Sequence, residues 1–253
     1  MSGRFLYGVH PVLEALRSGA RRLEEVTLLR NGNPRLQDIA RLTRDAGVKL
    51  SYRDRDSLTR IIGNPHHQGV IARVGERSSL TLDELLAIPA SRGELPLFLA
   101  LDQVQDPQNL GNLLRTAEAA GVHGVILPLR RAAPLTDVVA KAAAGAQDLL
   151  AVASVTNLVA ALNRLKEEKI WVADSVTAGG VWPWDADLNC PLCIVLGGEA
   201  KGVRPLVHQT ADLHLSLPMP GRISSLNVAS AGAALLYEVL RQRMGKEKYV
   251  AVQ

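Results

Sequence analysis

The run from Leu192 to Val203 constrains this chain more than any other stretch. It reads Leu-Cys-Ile-Val-Leu-Gly-Gly-Glu-Ala-Lys-Gly-Val, an apolar run of strand character that stops in two glycines and a carboxylate. A companion, Leu217 to Val228, also breaks from an apolar stretch into Pro218, Gly221, Ser224, Ser225 and Asn227. Both read as loops at strand ends, the usual place for a site in an α/β domain. Gly197 and Gly198 let backbone come close to a ligand, and Glu199 follows one residue later.

The rest of the chain alternates in the same way. Over residues 4–74 the spacing predicts helices at Val9–Leu16, Arg35–Ala46 and a segment ending at Ile62, with strands at Val26–Leu29, Val48–Tyr52 and Val70–Val74. A polar connector, Glu76–Ser79, leads to a helix starting near Leu80, and Pro89–Pro96 reads as a loop. From Leu97, strands are expected at Leu97–Leu101, Val122–Leu127, Leu150–Val155, Ile170–Ala173, the Leu192 run and Leu213–Leu217. Helices are expected at Leu113–Ala120, Thr136–Ala144, Leu158–Glu168, after Gly202, and at Val228–Arg243. Such alternation means a parallel sheet flanked by helices. The expected domains are 1–75, a linker and connecting helix over 76–95, and 96–253.

Charge divides along the same line. Residues 1–75 hold 13 Lys and Arg against 7 Asp and Glu, a net +6, while residues 76–253 hold 16 against 18, a net −2. A basic front end beside a near-neutral body suggests a nucleic-acid-reading domain attached to a catalytic one. Aromatics make up only 4%, which argues against base stacking on an aromatic platform. No run of 18 apolar residues and no signal-like segment is present, so a cytoplasmic location is expected.

Several chemistries are disfavoured. No GxGxxG follows the first strand of the body, and neither GxxxxGK[ST] nor GxSxG occurs. Cys190 and Cys193 have no partner Cys or His at ligand spacing, so they read as buried structural thiols and no metal is expected. His66 and His67 point different ways on an extended chain, which favours a turn or RNA-contacting role over metal or acid–base work. Asn109, Arg115, Glu199 and Asn227, with Ser225, remain as polar residues in loops. Singly, Asn109 reads equally as a helix N-cap, and Ser225 or Asn227 as the cap of the last helix.

Taken together, three blocks carry a resemblance. They are Asp106-Pro107-Gln108-Asn109-Leu110-Gly111 with Arg115-Thr116-Ala117; Leu196-Gly197-Gly198-Glu199 with Gly202; and Leu217-Pro218-Met219 with Ser225-Leu226-Asn227-Val228. In this order they resemble the SpoU (TrmH-type) RNA ribose 2′-O-methyltransferases of the SPOUT superfamily. Lys141–Ala146 resembles that family's small-residue helix end. Leu6–Val12 and His67–Val70 resemble the ribosomal-protein-like substrate-binding domain of the bacterial 23S rRNA (guanosine-2′-O-)-methyltransferases, the RlmB group. Two mild departures are Gly198 and Ala144, where relatives often carry other small residues.

The resemblance implies an α/β fold whose C-terminal parallel sheet is tied in a trefoil knot, with a small N-terminal α/β RNA-binding domain. It implies S-adenosyl-L-methionine as methyl donor, an rRNA substrate and a homodimer, with the last helix contributing contacts. Arg115 takes the catalytic position; a guanidinium is a poor base, so phosphate clamping and oxyanion stabilisation are expected of it. Asn109, Glu199, Ser225 and Asn227 would orient ribose, Arg115 and cofactor. Leu196, Gly197, Gly198, Leu217, Met219 and Leu226 would hold the cofactor. The rival readings are a tRNA methyltransferase of the same class and a non-catalytic RNA-binding assembly factor.

Overall fold

The computed structural model describes residues 4–18, 23–30, 34–75, 79–130, 133, 137–144, 146–199 and 202–244. The connector residues 76–78, Thr136, Gly145, Ala200 and Lys201 lie outside them. The chain forms two compact units, Met1–Ser78 and Ser79–Gln253.

The first unit contains β1 (Arg4–Tyr7), α1 (Val9–Ser18), β2 (Leu23–Leu29), α2 (Pro34–Asp45), β3 (Lys49–Arg53), α3 (Arg55–Ile62) and β4 (Val70–Val74). Its sheet runs β1-β4-β2-β3, with β4 antiparallel to both neighbours and β2 parallel to β3. Strand β1 was not anticipated. It is only four residues long, too short to show a strand period, and it is fixed by pairing Arg4 with Val74 and Tyr7 with Ile71. Val12, Val26, Leu28, Leu36, Ile39 and Val70 form the core between this sheet and helices α1 and α2. Asp54 caps α3 by accepting from Ser57 N, and Gly63 ends it in the left-handed conformation at φ 67°.

Of the two roles expected for the histidine pair, His67 takes the turn: it is buried in the bend before β4, out of reach of an RNA. Its Nδ1 accepts from Gly69 N at 3.0 Å, which leaves Nε2–H to donate to Thr59 Oγ1 at 3.2 Å. Burial and the nearby Arg55 hold its pKa below the usual histidine value. His66 alone of the pair is exposed.

The second unit opens with α4 (Leu82–Arg92), then β5 (Leu97–Asp102), α5 (Pro107–Ala119), β6 (Gly124–Pro128), α6 (Asp137–Ala142), α7 (Ala146–Leu149) and β7 (Ala151–Val155). It continues with α8 (Leu158–Glu167), β8 (Trp171–Val176), a 3₁₀ turn at Pro183–Asp185, β9 (Leu192–Gly197), α9 (Pro205–Thr210), β10 (Leu213–Ser216) and α10 (Val228–Met244). The six strands are parallel throughout, in the order β10-β8-β9-β5-β6-β7. One face packs on α5 and α10 through Leu99, Leu113, Ile194, Leu196 and Leu236; the other packs on α4 and α8 through Leu85, Phe98, Leu162, Val172 and Val195.

Several boundaries differ from expectation, β2 starting at Leu23 rather than Val26 among them; three bear on the second unit's core and site. Helix α4 continues through Pro89, where a loop was expected, and it belongs to the core of this unit: Leu85 is buried and would collide with any side chain at Gly124. Its start is a capping box, with Thr81 and Glu84 each bonding the other's backbone N–H. Helix α5 begins at Pro107, six residues before the predicted Leu113, because Asp106 caps it and proline suits its first turn. Gly111, a loop residue on expectation, lies inside α5, where a Cβ would stand 2.4 Å from that of Ala142; glycine here serves helix packing against α6. Strand β8 extends past Ala173 to Val176, a stretch hidden by the polar Asp174 and Ser175.

Candidate active site

A cavity of about 440 Å³ opens at the carboxyl ends of β8, β9 and β10. Its walls come from residues 175–177, 196–199 with Gly202, 217 with 219, and 224–228 with Ala231 on α10. Six of these residues are the ones expected to hold the cofactor: Leu196, Gly197, Gly198, Leu217, Met219 and Leu226. Glu199, Ser225 and Asn227 line it too. Ser175, Val176 and Thr177 are additional; nothing in their local sequence marks them, since they enter only as the end of β8 beside β9.

Tight backbone packing builds the Gly197–Gly202 wall. A Cβ on Gly197 would lie 2.0 Å from Gly202 C and 2.2 Å from Val203 N, and one on Gly198 would lie 2.4 Å from Gln103 O. Gln103 itself takes φ 65°, and Gly198 N donates to Asp102 O at 2.9 Å. The glycines therefore admit another stretch of this chain, and their backbone also lines the cavity.

Asp102 anchors that wall and was missed by the sequence analysis. It is fully buried at the end of β5 and accepts from Arg204 N at 2.8 Å and Arg204 Nε at 2.7 Å. The available signal was a carboxylate closing an apolar strand, Leu97-Phe98-Leu99-Ala100-Leu101-Asp102. Such a group stays buried only when paired.

At the mouth of the cavity, Asn109, Glu199 and Asn227 interlock. Asn227 Oδ1 accepts from Ala229 N at 2.9 Å, capping α10, so its amide nitrogen must face inward. That Nδ2 donates to Asn109 Oδ1 at 2.9 Å and to Glu199 Oε1 at 3.1 Å. Asn109 Nδ2 in turn donates to Glu199 Oε1 and to Asp106 Oδ2. Each amide's orientation is thus set by its partners, and Glu199 Oε2 is left without a hydrogen bond among the described residues. The two cap readings resolve differently: Asn227 caps α10 while reaching the site, but Asp106 caps α5 and frees Asn109.

Arg115 is not brought to this cavity. It lies exposed on α5 without a hydrogen-bond or ion-pair partner among the described residues. Cys193 is buried in β9, where burial pushes its thiol up to about 12; Cys190 is half-buried and also raised. Neither thiol is poised to react.

A cavity outside the carboxyl ends of parallel strands, with a carboxylate and two amides converging at its mouth, defines a ligand-binding α/β enzyme domain. Residues 96–237 match the SpoU rRNA methylase family, and residues 5–79 match the RNA 2′-O ribose methyltransferase substrate-binding family. The chain belongs to the SpoU rRNA methylase family. It is 38% identical over 240 residues to the putative TrmH family tRNA/rRNA methyltransferase YacO of Bacillus subtilis, covering 94% of this chain and 96% of that one. It is 39% identical over 242 residues to the 23S rRNA (guanosine-2′-O-)-methyltransferase RlmB of Ralstonia nicotianae, covering 95% and 96%. In fold it is similar to the SpoU methyltransferase AviRb of Streptomyces viridochromogenes, solved in complex with AdoMet, with a TM-score of 0.77 at 24% identity over 96% of this chain and 91% of that one. Among the described residues, no helix is long and apolar enough to cross a membrane.

Proposed function

We propose that this chain transfers a methyl group from S-adenosyl-L-methionine to the 2′-hydroxyl of a guanosine ribose in 23S rRNA. The observation that carries this reading is the convergence of four distant segments on one cavity with the Asn109–Glu199–Asn227 network at its mouth. The residues fit the cofactor. Val176, Leu217, Met219 and Leu226 offer apolar surface to a nucleoside, and Ser175, Thr177 and Ser225 offer polar groups for its tail. Bound there, S-adenosyl-L-methionine supplies an electrophilic methyl group on a sulfonium.

The chain's own work is orientation and charge. Transfer would require these residues to hold the ribose oxygen toward the donor's methyl group and to let its proton pass to an acceptor or to water. Glu199, held by two amides on Oε1, keeps Oε2 to accept a hydrogen bond from a hydroxyl or a guanidinium. Arg115 clamps the substrate phosphate and stabilises the developing oxyanion. Its exposure within one chain fits a homodimer in which the site is completed by a second copy. Exposed Val138, Leu149 and Tyr237 lie on α6, α7 and α10, the helices that pack on α5, and supply apolar surface for such an interface. The trefoil knot and a cytoplasmic location belong to the same reading.

The first unit reads the RNA. Arg30, Arg35, Arg53, Arg55 and Arg60 are exposed on it, consistent with its net +6. The test is methylation of unmodified 23S rRNA and of bulk tRNA by the purified chain, with ribose methylation mapped by primer extension, alongside calorimetry of cofactor binding. A single modified guanosine in 23S rRNA is expected. Modification of tRNA alone would move the substrate, and cofactor binding without transfer to either RNA would leave the assembly-factor reading.

A further inference from the structure

On the sheet face opposite the cavity, three side chains meet that no function assigned above uses. Asp174, in β8, is fully buried, while its neighbour Ser175 points the other way into the cavity. His214 lies beside it in register on β10, and His208 reaches it from α9. His208 Nδ1 stands 2.7 Å from Asp174 Oδ2, and His214 Nδ1 stands 2.6 Å from Oδ1. The two imidazole rings stack with centroids 4.1 Å apart.

We propose that Asp174, His208 and His214 form a binding site for a divalent transition-metal ion such as Zn²⁺. The donor set is two imidazole nitrogens and one carboxylate, and the three ligand atoms lie within 4.8 Å of one another. Asp174 has no Lys, Arg or backbone N–H partner among the described residues; only the two imidazoles face it. A buried carboxylate held by two imidazoles, with no fixed cation beside it, is well matched to a metal ion. Both histidine side chains are about 40% open to solvent, 44% and 39%, which leaves room for water at the remaining coordination position.

Metal–ligand bonds of about 2.0–2.2 Å in a tetrahedral site put donor atoms roughly 3.3 Å apart, so both rings back off the carboxylate to admit the ion. The rings sit on a short helix and on an edge strand, where such movement is cheap. Ligation through Nδ1 requires each imidazole to carry its proton on Nε2. The absence of a metal expected from the sequence rested on spacing along the chain, whereas these ligands are separated by 34 and 6 residues and meet only across three elements. All three elements lead to the cavity: β8 into Ser175–Thr177, β10 into Leu217, and α9 from Arg204, the partner of Asp102. The ion would brace the cavity from behind.

The test uses the full chain, stripped with chelator and titrated with Zn²⁺ alone, without RNA or methyl donor, so it is independent of the methyl-transfer reading. One Zn²⁺ per chain at micromolar concentration is expected, with a rise in thermal stability, and Co²⁺ should give the absorption bands of a low-symmetry site. His208→Gln and His214→Gln should each weaken binding at least about a hundredfold, beyond the loss of an outer-shell partner. His10→Gln, at an exposed position elsewhere, should change nothing. No stoichiometric uptake by the folded wild-type chain, or uptake that both variants retain, overturns the proposal. Should a variant fail to fold, the imidazole resonances of the wild-type chain decide: Zn²⁺ must perturb His208 and His214, and perturbation of neither overturns it equally.

Discussion

The two units carry their chemistry in opposite ways. In the first, exposed arginines are spread over α2, β3 and α3 and the turn after β2, each on its own local segment. In the second, Asn109, Glu199 and Asn227 are interlocked by hydrogen bonds between residues 28 to 118 positions apart. A dispersed cationic surface binds a polyanion by the sum of many weak contacts and loses little when one is removed. A preorganised cluster works only when each member holds the others, so one loss is felt in full.

Removal of residues 1–78 is the harshest way to break that contrast. The remaining unit should bind S-adenosyl-L-methionine with affinity close to that of the whole chain, while methylation of 23S rRNA falls about a thousandfold, as expected on losing most phosphate contacts. Calorimetry and single-turnover assays on one preparation check both halves. Full activity of the shortened chain would show that the front unit is not the reader.

Single substitutions in the second unit should come next. Arg115→Ala is expected to lower turnover by about a hundredfold or more with cofactor affinity intact, the loss typical of one preorganised donor. Arg115→Lys keeps the charge but not the fork and should fall between. Dimer mass measured on the same samples distinguishes a catalytic loss from a collapsed interface. Gly197→Val is a poor probe of the cavity, because it would strike the Gly202–Val203 backbone. Ala231→Phe fills the cavity from α10 instead, and unchanged cofactor affinity in that variant would move the site.

By contrast, Arg53→Ala in the first unit should weaken RNA binding only a few-fold and reduce the slope of log affinity against log salt by about 0.9, one phosphate contact. Filter binding across a salt series measures this. A hundredfold loss would mean that the first unit also depends on a single preorganised contact, and the contrast would fail.

The smallest effect concerns His67. Its folded pKa is depressed by burial, so the unfolded chain takes up a proton that the folded ring refuses. The stability it contributes is therefore complete above the unfolded value of about 6.5 and is lost as pH falls through the depressed folded value. Amide protection factors at Gly69 and Val70, corrected for intrinsic exchange, should fall over that range, and His67→Gln should flatten the dependence.

The sequence by itself determined the alternation of strands and helices, the basic front end, and the two runs that end at the cavity. These are local properties: an apolar run, a glycine, or an excess of arginine is visible within a dozen residues. The blocks around Asn109, Glu199 and Asn227 were legible as motifs, and their residues do meet.

Only the tertiary structure decided which residues those blocks would be held by. Strand β1 exists because β4 is there to pair with it. Asp102 is tolerated in the core because Arg204, 102 residues away, reaches it. Pro89 stays helical within a helix whose Leu85 is locked over Gly124. Asp174, which interrupts a strand pattern, is compensated by two histidines from α9 and β10. In each case a locally unfavourable choice is offset by a partner whose distance along the chain bears no relation to its distance in space. The strand order β10-β8-β9-β5-β6-β7 sets those neighbours, and no window of sequence contains it.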